Sequence, residues 1–175
     1  RASGVEASLS EAWPGLVLES LPDPSSMVLH VGWTSAPAST AELVGTLHAG
    51  DWRSSTGYAA FLGESDRITA ALVAAVRADS VEHALLAIRD AADNLEALDE
   101  LSGIGIRTPA LLDLIAAARG VGIPAKTSGA GGGDCGIALA PARNEALDAA
   151  WRAAGIEVLD LHVIPHRRVG VREHG

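Results

Sequence analysis

The segment Lys126-Thr-Ser-Gly-Ala-Gly-Gly-Gly-Asp-Cys-Gly136 contains five glycines, one acid, and the only lysine and the only cysteine of the 175-residue chain. Short, mostly apolar stretches flank it, Val121-Gly-Ile-Pro-Ala125 before it and Ile137-Ala-Leu-Ala140 after it. The second stretch is typical of a buried strand. The pattern therefore predicts a strand, a glycine loop and a strand at about 123–128, 129–134 and 135–140.

The composition of this loop indicates a binding site for phosphate or another anion. Glycine adopts positive φ at little steric cost and lets the backbone approach a ligand closely. Successive backbone N–H groups can then turn inward around an anion, and Lys126 adds a point charge. The alternative is a long glycine hairpin that binds nothing, although an ordinary hairpin needs only about two to five loop residues.

The remaining elements follow from apolar spacing and from turn residues. Residues 27–33 are rich in β-formers and predict a central strand, and a helix is expected to begin near 37–40. Helical spacing predicts helices through 68–76 and 85–101. A third helix opens at Thr108-Pro109, with Thr108 as N-cap, and ends at Gly120-Val-Gly122. We expect this helix to bury Leu111, Leu112, Leu114 and Ile115.

The order of elements defines the predicted fold class. A last helix at about 142–154 and a last strand at about 156–164 complete the series strand, helices, strand, strand, helix, strand. This is an α+β fold, a ferredoxin-like split β-α-β-β-α-β pattern with extra helices in the first crossover. We predict one domain over residues 27–175, preceded by a linker at 1–26 that contains a possible edge strand at 16–18.

The bulk composition excludes several classes of protein. A hydrophobic content of 48% predicts a globular chain, and the net charge of −9 argues against binding to nucleic acids or anionic membranes. No apolar run approaches the ~18 residues of a membrane span, and no signal peptide is visible. A single cysteine excludes an internal disulfide framework. We therefore expect a cytoplasmic protein.

Two segments carry a resemblance to a known family. The string from Lys126 to Cys135 resembles the third motif of the GHMP kinases, and most closely that of bacterial phosphomevalonate kinases. Val31-Gly-Trp-Thr-Ser-Ala-Pro-Ala-Ser-Thr40 resembles a second family segment, with Ser35 where the family often has glycine. The resemblance runs from about Trp13 to the end of the chain, and the family's carboxy-terminal domain is similar to the predicted topology.

The resemblance implies a function for a longer protein. The family's amino-terminal domain carries a Pro-x-x-x-Gly-Leu-Gly-Ser-Ser loop that holds ATP, and this string does not occur here. We therefore expect the carboxy-terminal domain of a kinase that uses ATP and Mg²⁺ to convert phosphomevalonate to diphosphomevalonate in isoprenoid synthesis. The missing amino-terminal domain would be its partner, the chain alone would be inactive, and the exposed domain face could self-associate. Open alternatives are another GHMP kinase, such as mevalonate kinase, and a non-catalytic anion-binding or assembly module.

The same resemblance implies the site residues. In the family the glycine motif lies beside the transferred phosphoryl group, so Lys126 is expected to pair with phosphate. Ser39 and Thr40 either cap a helix or bind an anion at its N-terminus. Asp134 either braces the loop or helps to bind Mg²⁺. The residues expected to present backbone N–H groups to the phosphoryl charge are Ser128, Gly129, Ala130, Gly131, Gly132 and Gly133.

Other polar or reactive residues are interpreted as structural. Cys135 is expected to be a small buried hydrophobe, and His30 and Trp33 to pack in the core. We predict no catalytic residue and no set of side chains with metal-ligand spacing. The acids of the second predicted helix are expected to form a solvated face; they are Asp90, Asp93 and Asp99.

Overall fold

The computed structural model describes residues 19–37, 43, 45–46, 51–129 and 131–161. Within them the chain forms strands and helices in the order expected for an α+β domain. In chain order these are β1 (Val28–Trp33), a short 3₁₀ helix (Asp51–Ser54), α1 (Thr56–Arg77), α2 (Val81–Ser102), α3 (Pro109–Gly120), β2 (Ala125–Thr127), β3 (Cys135–Ala140), α4 (Glu145–Ala153) and β4 (Glu157–Leu159).

The four strands form one antiparallel sheet in the order β2-β3-β1-β4. Val31 in β1 lies opposite Ile137 in β3 and Leu159 in β4, and Lys126 in β2 lies opposite Ile137 from the other side. The helices α1 to α3 all fall between β1 and β2. The predicted ferredoxin-like topology with extra helices in the first crossover is therefore confirmed.

One face of the sheet packs tightly against α3 and α4. Leu114 and Trp151 are fully buried there, and the Trp151 indole N–H donates to the Leu114 carbonyl at 2.9 Å. A Cβ atom at Gly136 would lie 2.5 Å from Leu114 Cδ2, and one at Gly32 would lie 2.8 Å from a methyl group of Ile156. Glycine in β1 and β3 therefore lets these helices approach the strands closely.

The other face of the sheet packs against α1 and α2. Leu139 from β3 joins a buried cluster with Met27, Ala75, Ala84 and Ile88. A further cluster forms around the connection between α2 and α3, from Leu98, Ile104 and Ile106. No helix in the described part of the chain combines the length and the apolar character that crossing a membrane requires.

Capping residues define where the helices begin and end, mostly as the sequence predicts. The Thr108 hydroxyl accepts the Leu111 N–H at 3.4 Å at the start of α3. Gly103, with φ of 64°, ends α2 in the left-handed conformation. Asn144 accepts the Leu147 N–H at 2.9 Å, so α4 begins later than the predicted residue 142.

Three details differ from the sequence predictions or fall outside them. Leu112 is 44% exposed, because α3 turns Leu111, Leu114 and Ala118 toward the core and Leu112 away from it. The last strand is shorter than predicted and ends at Leu159. The possible edge strand at 16–18 and the predicted helix start, apart from residue 37 itself, lie outside the described residues.

His30 is buried as predicted, but it belongs to a polar network rather than to apolar packing alone. Its Nδ1 lies 3.1 Å from Asp148 Oδ1, and the two side chains are only 1% and 5% exposed. Arg143 bridges Asp148 and Asp160 at 3.2 and 3.1 Å. The network therefore links β1 to α4 and to the segment that follows β4.

Asp79 ties the segment before β1 to the turn between α1 and α2. Its carboxylate accepts the N–H groups of Ser25 and Ser26, both at 3.1 Å, together with the Ser25 hydroxyl. Asp79 has a φ of 49°. The hydrogen bonds from Ser25 and Ser26 lower the pKa of Asp79 to about 2.

The first prediction concerns Asp79→Asn and pH. A carboxylate whose folded-state pKa lies below its usual 3.8 stabilises the fold above that value. This contribution is lost as the pH falls toward about 2. The difference in melting temperature between the native protein and Asp79→Asn should be constant near neutral pH and should shrink below about pH 4. Thermal denaturation at a series of pH values measures it, and a difference that grows on acidification would contradict the assignment.

The second prediction compares one substitution at two threonines. The buried Thr127 hydroxyl has no hydrogen-bond partner among the described residues, so Thr127→Val should stabilise the fold by about 1 kcal/mol. The Thr108 hydroxyl caps α3, so Thr108→Val should destabilise it by about 1 kcal/mol. Each change corresponds to a shift of about 2–4 °C in melting temperature, in opposite directions. A lower melting temperature for Thr127→Val, as for Thr108→Val, would show that the Thr127 hydroxyl stabilises the fold and would contradict this prediction.

Candidate functional site: the glycine loop

The loop between β2 and β3, residues 128–134, is called the glycine loop below. Its backbone has positive φ at Gly129 (67°), Gly131 (76°), Gly132 (78°), Gly133 (138°) and Asp134 (62°). Only glycine adopts this region freely, which explains the glycine run in physical terms. Ala130 lies outside the described residues.

On one side, the glycine loop packs against the segment 103–107 that joins α2 to α3. The Gly132 N–H donates to the Ile106 carbonyl at 2.8 Å. A Cβ atom at Gly131 would lie 2.5 Å from Ile106 Cγ2 and 2.6 Å from its carbonyl oxygen. The two segments are therefore in contact, and a side chain at position 131 would separate them.

On the other side, the glycine loop packs against the residues that follow β1. Asp134 exchanges backbone hydrogen bonds with this segment, accepting from Thr34 N–H at 2.8 Å and donating to the Ala36 carbonyl. The Trp33 indole N–H donates to the Asp134 carboxylate at 3.0 Å. A Cβ atom at Gly133 would lie 2.8 Å from the Ala36 oxygen. Asp134 thus braces the loop through the indole of Trp33, which is half-buried rather than part of the closed core.

These contacts determine which N–H groups remain available. The Ser128 N–H closes the hairpin onto β3 at 2.9 Å, and the Gly132 N–H is bonded to the segment 103–107. The N–H groups of Gly129, Gly131 and Gly133 have no acceptor among the described residues. Among the described residues, the backbone N–H groups that could still bind an anion are therefore these three, and not the whole predicted series 128–133.

Lys126 lies where β2 enters the glycine loop. It is half-buried, and its ammonium group donates to the neighbouring Thr127 carbonyl. Burial lowers the pKa of Lys126, and no carboxylate of the described residues offsets that effect. The result is a partly desolvated cation at the start of a loop in which three N–H donors have no acceptor among the described residues, an arrangement that favours an anionic ligand.

Asp99 is the functional candidate that the sequence reasoning missed. It was predicted to lie on a solvated face, and that prediction is wrong, because its side chain is only 12% exposed. Its carboxylate accepts the N–H groups of Gly105 (2.9 Å), Ile106 (2.8 Å) and Arg107 (3.2 Å). The Arg107 guanidinium also bonds to Asp99 and to Glu96. The sequence contained one signal for this role: Asp99 lies four residues before Gly103, the glycine that ends α2, and so could reach the N–H groups of the turn that follows.

The other predicted residues add no reactive group within the described part of the chain. Burial, followed by the charge of Asp134, raises the pKa of Cys135, so its thiol stays protonated and is a poor nucleophile. Ser39 and Thr40 lie outside the described residues. Within the residues that the structure describes, no group of three or more His, Cys, Asp or Glu side chains could hold a metal ion. The role of Asp134 in Mg²⁺ binding stays a prediction, because Mg²⁺ is often held by one or two carboxylates together with waters and substrate phosphates.

Known proteins are similar to this chain in both sequence and fold. The family model described as GHMP kinases C terminal matches residues 70–157. The phosphomevalonate kinase of Streptomyces sp. (strain CL190) is 41% identical over 165 residues, which cover 92% of this chain and 44% of that protein. The chain thus spans less than half the length of this curated relative.

Solved structures give the same result. A Lin0012 protein from Listeria innocua is 34% identical with a TM-score of 0.81, over 90% of this chain and 44% of that one. Streptococcus pneumoniae phosphomevalonate kinase in complex with phosphomevalonate and AMPPNP is 30% identical with a TM-score of 0.72, over 90% and 45%. The mevalonate kinase of L. major in complex with R-mevalonate is 20% identical with a TM-score of 0.68, over 78% of this chain and 41% of that one, and shows the fold alone. The chain therefore belongs to the GHMP kinases, and its fold is that of their carboxy-terminal domain.

Proposed function

We propose that this chain is the carboxy-terminal part of a phosphomevalonate kinase. The complete enzyme transfers the γ-phosphoryl group of ATP to the phosphate of phosphomevalonate, giving diphosphomevalonate and ADP, a step of the mevalonate route to isoprenoids. The observation that carries the proposal is the half-buried Lys126 at the start of the glycine loop, without a carboxylate partner among the described residues, together with three loop N–H groups that have no acceptor among those residues. The names of the similar proteins support the choice of acceptor.

The chemistry requires this kind of site. Phosphoryl transfer depends mainly on positioning and on electrostatic stabilisation of the phosphoryl oxygens. Gly131 and Gly133 are held in place by their packing against Ile106 and Ala36, so little reorganisation of their N–H groups is needed when charge develops near them. Lys126 supplies a full positive charge in a partly desolvated position, where its attraction for phosphate is stronger than in water.

Other parts of the complete protein supply the rest of the reaction. ATP, when bound with its metal ion, provides the phosphoryl group that is transferred. We assign the ATP-binding loop to an amino-terminal domain, since the Gly-Leu-Gly-Ser-Ser string is not found in the 175 residues. Self-association through the face that would contact that domain stays a prediction.

The acceptor distinguishes this proposal from its alternatives. Phosphomevalonate already carries a phosphate that a cation and N–H donors would hold, whereas mevalonate offers only its single carboxylate as an anionic group. Lys126 and the three N–H groups therefore favour the phosphorylated acceptor. A non-catalytic module would keep the same loop for an unrelated anion.

Titration of the ¹⁵N-labelled chain tests the choice of acceptor. Phosphomevalonate should shift the amide signals of Gly129, Gly131 and Gly133, and mevalonate at the same concentrations should shift them much less. Inorganic pyrophosphate serves as the probe for anion binding alone. Equal responses to mevalonate and phosphomevalonate would remove the basis for the proposed acceptor.

The third prediction concerns Lys126→Met. A methionine side chain buries much as the lysine stem does, so the fold should be retained. The loss of one charge-assisted hydrogen bond should weaken phosphomevalonate binding by about 1.5–3 kcal/mol, or roughly ten- to a hundredfold. Lys126→Arg should restore part of the affinity, because a planar guanidinium does not replace a compact ammonium. Unchanged affinity in Lys126→Met would show that the phosphate lies elsewhere.

The pH dependence of binding provides an internal control for Lys126. Burial lowers its pKa below the usual 10.5, and only the protonated form attracts an anion. Affinity for pyrophosphate should therefore fall as the pH rises through that lowered pKa, and a bound anion should move the pKa back upward. In Lys126→Met this loss of affinity at alkaline pH should disappear, and isothermal titration calorimetry at several pH values measures both.

The fourth prediction is that the chain folds but does not catalyse on its own. Its strands and helices form a complete sheet with a buried core, whereas the ATP loop of the family is not in the sequence. A coupled assay of ADP release with ATP, Mg²⁺ and phosphomevalonate should show no turnover. Rates near the ~1–100 s⁻¹ of kinases would contradict the proposed division between two domains.

A further inference from the structure

Asp99 is connected to the glycine loop through a single residue, Ile106. The Ile106 N–H donates to Asp99 Oδ1 at 2.8 Å, and the Ile106 carbonyl accepts the Gly132 N–H at 2.8 Å. Asp99 also accepts the N–H groups of the residues on either side, Gly105 and Arg107. A carboxylate on α2 therefore holds the stretch of backbone against which the glycine loop rests.

The contact between these two segments leaves little freedom to either. Ile106 is 2% exposed, and its side chain packs in a buried cluster with Leu98 and Ile104. On the loop side, the Gly131 backbone lies so close to Ile106 that a Cβ atom would overlap it. A displacement of Ile106 would therefore displace Gly131 and Gly132 as well.

The hydrogen bonds at Asp99 are of the stronger kind. An ionised carboxylate that accepts backbone N–H groups binds them more strongly than a neutral acceptor does. Arg107 adds a guanidinium contact to the same carboxylate and bonds to Glu96 as well, and its side chain is only 20% exposed. Burial alone would lower the pKa of Arg107, but the hydrogen bonds and charges of Glu96 and Asp99 outweigh it and raise the pKa, so the cation is retained at any ordinary pH.

We propose that Asp99 is a positioning residue for the anion-binding conformation of the glycine loop. It acts through the segment 103–107, which it fixes by three N–H contacts, and it does not touch the ligand itself. The role of this conformation in binding an anion rests on the proposed function. The effect of Asp99 on the geometry of the loop does not depend on it.

Asp99→Asn and Asp79→Asn form a matched pair for the test. Both carboxylates accept backbone N–H groups of a loop, but Asp79 holds Ser25 and Ser26 and has no contact with the glycine loop among the described residues. Both variants lose the charge of one loop-holding carboxylate. Amide hydrogen exchange of Gly132 reports the loop directly, and the exchange of Leu114 in the core reports global stability in the same sample.

The first readout needs no ligand. Asp99→Asn should accelerate exchange at Gly132 by about tenfold relative to Leu114, since the loop would open locally rather than with the whole domain. Asp79→Asn should leave that ratio unchanged. If the ratio is the same in Asp99→Asn as in the native chain, the proposed positioning role is wrong.

The second readout is the affinity for inorganic pyrophosphate, measured well below the melting temperature of each variant. Asp99→Asn should weaken it by about tenfold, because small displacements of binding groups have large effects, and Asp79→Asn should match the native chain. Failure of the native chain to bind pyrophosphate would count against the proposed function, while the exchange measurement would still decide the positioning role. Accelerated exchange with unchanged affinity would limit Asp99 to loop stability and overturn its role in binding.

A second variant covers the case in which Asp99→Asn does not fold. Arg107→Gln keeps the three backbone N–H donors but removes the guanidinium that holds the Asp99 carboxylate against them, so these contacts should loosen. It should cause smaller changes of the same kind at Gly132 and in pyrophosphate affinity. Native values for both in a folded Arg107→Gln protein would then overturn the proposal.

Discussion

The hydrogen bond from Gly132 to the Ile106 carbonyl joins the β2–β3 hairpin to the connection between α2 and α3. The rest of the candidate site depends on it. It uses one N–H of the glycine loop, positions the neighbouring Gly131 against Ile106, and so determines which N–H groups remain free. The same contact brings the end of α2, with Asp99, within reach of a loop far from it in sequence. This one backbone hydrogen bond thus both shapes the glycine loop and connects it to the segment that joins α2 to α3.

Lys126 differs electrostatically from the acidic background of the chain. With a net charge of −9, the surface as a whole repels phosphate. Lys126 escapes this background because it is partly buried beside the glycine loop, and the same burial lowers its pKa. Binding of an anion would reverse that shift, so proton uptake and ligand binding are coupled at this residue. Desolvation therefore makes the lysine both a stronger partner for phosphate and a more pH-sensitive one.

Local signals in the sequence were sufficient for the fold. The cap at Thr108, the left-handed Gly103 and the apolar spacing of α1 and α2 act over a few residues, and each matches the structure. The orientation of Leu112 was missed because two adjacent leucines fit either phase of α3. Asp99 was missed because its partners lie beyond the end of its helix, and their position depends on how the chain turns there. The half-burial of Lys126 likewise depends on tertiary packing rather than on its neighbours in sequence.

The close packing of Gly131 and Gly133 also affects how the glycine-rich sequence of this loop should be used to assign function. Each glycine is required by a neighbouring backbone, Ile106 in one case and Ala36 in the other, whether or not a ligand is present. A related protein that had lost its substrate would still need both glycines to keep this packing of the loop. The glycine pattern therefore identifies the architecture, whereas the proposed phosphate binding depends on the charge at position 126, which this packing does not require.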